Sequence, residues 1–135
     1  VSRRSIHLDD FSHENPVPAA SRIDGLVATG AVHGGGKGSA PEEFPPDFGE
    51  QAARMFDRIA AILAAAGGSL DDALKFSVRL SAPEHRDELN RQWCALFPDP
   101  DSRPARQVNI GTTRPHILVQ CEVLAVVTGN GGRDA

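Results

Sequence analysis

Residues 117–127, "ILVQCEVLAVV", restrict the possible folds more than any other stretch. Strand alternation puts Ile117, Val119, Cys121, Val123, Ala125 and Val127 on one side. The other side carries Leu118, Gln120, Glu122, Leu124 and Val126. Both sides are mainly apolar, so this strand needs cover on both faces of its sheet. The remaining sequence holds only two helical patterns, and two helices cover one face. A partner subunit is the physical solution for the other.

The first helical pattern is Phe48, Ala52, Met55, Phe56, Ile59, Ile62, Leu63 and Ala66, stopped by Gly67-Gly68. The second carries Leu89, Trp93, Leu96 and Phe97 and ends at "PDPDSRP". Ser81 and Glu84 are spaced as a capping box for it, with Pro83 in the first turn. Between the helices, "LKFSVRL" alternates cleanly: Leu74, Phe76, Val78 and Leu80 face one way, Lys75, Ser77 and Arg79 the other. Further strands are expected at 3–8, 25–32, 105–110 and 117–127. The run at 25–32 reads as buried on both faces, and "ENPVPAASRIDG" before it carries prolines and an Asp-Gly turn signal. "HGGGKGSAPEEFPPD" reads as a flexible loop. The order β-β-α-β-α-β-β predicts an α+β domain over residues 1–128, with two helices on one face of a mixed sheet. Residues 129–135 read as a disordered tail.

Composition excludes several classes of function. The net charge of −4 offers no basic field for nucleic acid or an anionic membrane. Cys94 and Cys121 match no metal spacing and are too few for a disulfide framework, so a reduced, cytoplasmic setting is the expectation. No apolar run approaches the roughly 20 residues that span a bilayer. Arg3-Arg4 lead into Ser-Ile-His-Leu-Asp-Asp, which gives no support for secretion. The five histidines, at 7, 13, 33, 85 and 116, lack ligand spacing, so no metal is expected. "HGGGKGS" lacks the glycine and the hydroxyl residue a phosphate loop needs at 31 and 38.

One placement asks for an explanation. In "SRPARQVNIG", alternation sets Arg106 on the same strand face as Val108 and Ile110. Such an arginine either snorkels past its neighbours to water or an acidic partner, or it is held for a ligand.

The element order, with "AAAGGSLDDALKFSVRLS", "LNRQWCALFPDPDSRPAR" and "VQCEVLAVV", resembles the Rid family, also called YjgF, the reactive-intermediate imine/enamine deaminases. The likeness covers roughly residues 15 to 128. It implies a chorismate-mutase-like fold and a homotrimer with clefts between subunits, in agreement with the two-sided strand. It also implies that Arg106, the arginine of Pro-Ala-Arg, binds the carboxylate of a 2-imino acid, with backbone groups near Val108. Asn90 matches the family's helix asparagine, which shapes the cleft; it equally fits an ordinary polar helix position. Thr29 and Gly30 match a Ser-Gly lining the pocket, or a strand end that needs small residues.

The chain departs from the family twice. Gln120 stands where the family carries a glutamate that handles water and protons. A glutamine orients water but cannot take its proton. Glu122, two residues on, either substitutes or forms an ion pair at a subunit interface. Val17 stands near the position of a pocket tyrosine, and this chain has no tyrosine. Trp93 is expected as core or interface packing rather than a ligand platform, and Cys121 as a small core residue. Arg103 is expected as a solvated or interface charge, Arg114 as a surface residue or one on the rim of the cleft, and His33 and His116 are left open as residues of the cleft mouth. The implied function is hydrolysis of small 2-imino or 2-enamine acids to a 2-keto acid and ammonium, which needs no cofactor. The alternatives are a non-catalytic binder of small carboxylates and an endoribonuclease or translation inhibitor.

Overall fold

The computed structural model describes residues 2–36, 38, 40–111 and 114–128. Nine elements run in the order β1 (Arg4–Ile6), β2 (Ala20–Ile23), β3 (Leu26–Thr29), β4 (Val32–His33), α1 (Phe48–Ala65), β5 (Ala73–Leu80), α2 (Arg86–Leu96), β6 (Ala105–Ile110) and β7 (Val119–Val126). The sheet has the order β1-β2-β3-β7-β5-β6, and the short β4 also pairs with β7. β5 and β6 are parallel, joined through α2, while the other pairs are antiparallel. This is the expected α+β architecture. Phe76, Val78, Val119, Cys121 and Val123 pack with the apolar stripes of both helices in one core.

α1 begins where Asp47 accepts the backbone N–H of Glu50, satisfying one of the first turn's free donors. It ends at Ala66, followed by Gly67 at φ +94, a left-handed conformation that glycine adopts freely. The guanidinium of buried Arg22 donates to the carbonyls of Ala66 and Asp24, placing a cation at the negative end of the helix. Buried Gln51, on the first turns of α1, donates to the carbonyls of Pro45 (2.8 Å) and His116 (2.9 Å). Its carbonyl oxygen accepts from the N–H of Leu118 at 3.0 Å. One amide thus pins the helix to two connections.

The local structure departs from the sequence reading in several places. The run at 25–32 is two short strands, β3 and β4, and only Val27 and Val32 within it are buried. β2 was not expected. It pairs with β3 across the Asp24-Gly25 turn, where Asp24 has φ 50 and a Cβ on Gly25 would lie 2.5 Å from the Val127 carbonyl oxygen. Leu74 leaves the face of Phe76 because the β5–β7 register shifts between Ala73 and Lys75, and the bulge turns it outward, 56% exposed. The Ser81–Glu84 capping box does not form. A 3-10 turn at Pro83–His85 precedes α2 with no side-chain cap. A capping box appears instead at Ser69 and Asp72, ahead of β5. The glycine loop is partly packed down: Gly34 and Gly35 are buried, and a Cβ on Gly34 would lie 2.2 Å from the carbonyl oxygen of Gln51. The expected tail at 129–135 lies outside the described residues.

The face opposite the helices has two halves. By register, Ile23, Leu26, Val126 and Leu124 form one exposed apolar patch across β2, β3 and β7. The other half is polar. Ser77, Arg79, Gln107, Asn109, Gln120 and Glu122 line a shallow hollow of about 320 Å³.

Candidate functional site

Arg106 lies on β6, the edge strand, opposite Phe76 of β5 in the parallel register. That register turns it to the helix side of the sheet, beneath α2. One turn of α2 then supplies its two contacts. Asn90 Oδ1 accepts from Arg106 Nη2 at 2.6 Å, and the guanidinium carbon lies 5.0 Å from the centre of the Trp93 ring. Trp93 is itself fixed by Phe76 at 5.1 Å and Phe97 at 4.8 Å. The cation therefore sits on a rigid aromatic floor. Nη1 is buried and has no hydrogen-bond partner, and among the described residues no carboxylate pairs with this arginine. Burial first, and then the nearby charge of Arg86, lower its pKa from the usual arginine value. The guanidinium is thus fixed through one N–H group, unsatisfied at another, and without a counter-ion among the described residues.

Asn90 is thus an anchor of Arg106 rather than an unattached helix polar group. Val108, two residues along β6 and on the same face, is half-buried beside Arg106. Trp93 is core as expected, but it also carries the arginine.

The remaining candidates lie elsewhere. Gln120 and Glu122 pair across to Arg79 and Ser77, on the face opposite Arg106, with β5 between β7 and β6. Within one chain they share no site with Arg106, because strand alternation fixes their side. Thr29 and Gly30 end β3, two strands further from the β6 edge than β5. Thr29 Oγ1 accepts the N–H of Val123 at 2.9 Å and donates to the Gly30 carbonyl at 2.8 Å, filling the gap between β3 and β4 along β7. Val17 is 54% exposed. Within one chain the expected residues therefore do not converge on a single pocket.

Other expectations also resolve. Cys121 is buried among apolar neighbours, and burial pushes its thiol pKa up. Arg103 Nε donates to the Phe97 carbonyl at 2.7 Å, closing the end of α2 instead of standing free. Arg114 lies 3.9 Å from the carboxylate of Glu14 at the surface.

A cluster of rings went unread in the sequence. His13, Phe11, His33, Phe44 and His116 follow one another at 4.6–5.3 Å between ring centres. His33 Nδ1 accepts from Gly35 N at 3.0 Å, and Arg58 Nη1 donates to the His33 carbonyl at 2.7 Å. Burial and the charge of Arg58 lower the His33 pKa to about 4, so this imidazole is neutral near pH 7. The "HGGG" run was the available signal, since only glycines let the loop press onto α1. Among the described residues no group of His, Cys, Asp and Glu is arranged to hold a metal ion. Nor does any described helix have the length and apolarity to cross a membrane.

Solved structures of Rid proteins share this fold. RidA from the Antarctic bacterium Psychrobacter sp. is 27% identical with a TM-score of 0.79, covering 92% of this chain and 99% of its own. YyfA of Yersinia pestis, from the conserved Rid protein family, is 20% identical with a TM-score of 0.81, covering 93% and 100%. A Mycobacterium tuberculosis member of the YjgF/YER057c/UK114 family is 22% identical with a TM-score of 0.76, also covering 93% and 100%. No curated protein sequence matches this chain. The model of the endoribonuclease L-PSP family matches residues 14–127, and the chain belongs to that family, the one also called YjgF or Rid.

Proposed function

We propose that this protein hydrolyses small 2-imino or 2-enamine carboxylic acids to the 2-keto acid and ammonium, without a cofactor. The observation that carries the proposal is Arg106: half-buried, fixed by Asn90 and Trp93, with a buried Nη1 lacking any partner. A substrate carboxylate would meet that N–H and complete the charge balance of the site, with the β6 backbone near Val108 beside it.

The chemistry asks little of the protein. An enamine first gains a proton at carbon to become the iminium. Water adds to the C=N carbon, a proton passes from the added oxygen to nitrogen, and the C–N bond breaks as the carbonyl forms. The sum is iminium plus water giving keto acid plus ammonium. Positioning supplies much of the rate for an electrophile that is already charged.

The water-handling residues must come from a second copy, because Gln120 and Glu122 lie on the other face of the sheet from Arg106. The exposed patch of Ile23, Leu26, Leu124 and Val126 supports association through that face, and a homotrimer is the assembly we propose. Gln120 would orient the water, Glu122 accept its proton, and Thr29, Gly30 and Val17 border the cleft between copies.

The test generates 2-aminoacrylate with a dehydratase and follows pyruvate release with and without the protein. Acceleration that is lost in Arg106→Ala supports the proposal. A second reading, a carboxylate binder without turnover, is favoured by the amide of Gln120. Saturable pyruvate binding with no acceleration would select it. RNA cleavage that survives purification and disappears in Arg106→Ala would defeat both.

A further inference from the structure

Arg86, the first residue of α2, stands one helical turn before Asn90. Residues four apart lie on one face of a helix, so Arg86 and Asn90 share the face of α2 that meets β6. Asn90 is the residue bonded to Arg106. Arg86 is exposed and, among the described residues, has no hydrogen bond or ion pair. Its charge is close enough to depress the Arg106 pKa, second to burial. Several other arginines are held by neighbours: Arg22 by the end of α1, Arg58 by His33 and the Phe11 ring, Arg91 by Glu88, Arg103 by the Phe97 carbonyl. Arg86 and Arg106 repel each other, and among the described residues no carboxylate pairs with either to offset that repulsion.

We propose that Arg86 is the second anion contact of this site, and that the preferred ligands carry two acidic groups. Arg106 holds the carboxylate next to the reacting carbon, and Arg86 meets a second carboxylate at the far end of a short side chain. The substrate class is then the imine of an acidic amino acid, and the product a 2-keto dicarboxylic acid. This inference rests on the Arg106 reading of the preceding section. Arg86 is exposed, so its contact is screened and is worth roughly a factor of two to five in affinity.

Calorimetric titration of the intact protein at low salt with pyruvate and with 2-oxoglutarate tests the idea. The parent is expected to bind 2-oxoglutarate about two- to fivefold tighter than pyruvate. Arg86→Gln should erase that preference, lowering 2-oxoglutarate affinity more than pyruvate affinity, and Arg106→Ala should lose both acids. Equal affinity of the parent for the two acids, or an equal fall for both in Arg86→Gln, would overturn this inference and leave the Arg106 reading standing. Failure of the parent to bind either acid would overturn both.

Discussion

Replacing Arg106 with alanine separates a ligand-binding cation from a structural one, and the structure sets the size of each effect. The side chain makes one hydrogen bond, to Asn90, and one cation–π contact, with Trp93. Losing these costs about 1.5–3 kcal/mol for a hydrogen bond from a charged donor and about 1 kcal/mol for a partly buried cation–π pair. The same substitution removes the buried, unpartnered Nη1, whose cost to the parent is about 1–3 kcal/mol. The recovered cost offsets most of the loss, so stability should fall by only about 1 kcal/mol. For 135 residues that is a Tm shift within roughly 4 °C, compared at equal protomer concentration. Ligand binding should respond very differently. Two charge-assisted contacts are each worth about 1.5–3 kcal/mol, so pyruvate affinity should drop at least ~100-fold. Arg106→Lys should recover part of it, since an ammonium keeps the charge but not the planar fork. The measurements are differential scanning calorimetry and a pyruvate titration on the same preparations. A Tm loss above about 10 °C would mean the cation holds the fold together, and unchanged pyruvate binding would mean it holds no ligand.

Gln51→Leu should cost about 2–4 kcal/mol in urea unfolding, because it orphans the Leu118 N–H and the carbonyls of Pro45 and His116. In native protein Cys94 should react with a thiol reagent while Cys121, buried with its pKa pushed up, should not until the chain unfolds; early modification of both would refute its placement. His33 has its pKa lowered to about 4 from 6.5, so between these values the unfolded chain binds a proton that the folded chain refuses. Stability from this group is therefore full above pH 6.5 and falls as pH drops toward 4, by about 2 kcal/mol after solvent screening. His33→Asn should flatten the Tm profile over that window, and an unchanged profile would remove His33 as its cause. In sedimentation, a monomer at micromolar concentration would refute both the trimer and the division of the site between copies.

The helices, the central strand β5 and the Arg106 strand were legible because their periodicity comes from one buried face. Phe76, Val78 and Leu80 announce β5 whatever surrounds them. β2 was hidden for the opposite reason: in Ala20-Ser21-Arg22-Ile23 the buried residues are an alanine and an arginine, and the exposed one is an isoleucine. Arg22 is buried because the end of α1 needs a cation, which is a tertiary fact no local pattern carries. Leu74 failed similarly, since a single extra residue at a bulge reverses which side faces the core. The Ser81 and Ser69 boxes show the limit of spacing rules. Both have the hydroxyl and the acid, and only Ser69 has a backbone that brings them together.

The site was half legible for a reason that also bears on function. Motif order along the chain located Arg106 and Asn90, whose contact spans only sixteen residues. It could not say that Gln120 and Glu122 face away from them, because that depends on counting alternation across three strands at once. The registers Phe76↔Arg106, Phe76↔Val123 and Ser77↔Glu122 make the separation unavoidable in a single chain. A strand cannot slip by one residue without burying Glu122 under the helices and exposing Val123. If both faces take part in one reaction, the protein must therefore associate through the apolar patch that the last strand presents. Two-sided hydrophobicity at 117–127 and a catalytic set split between sheet faces then have the same origin.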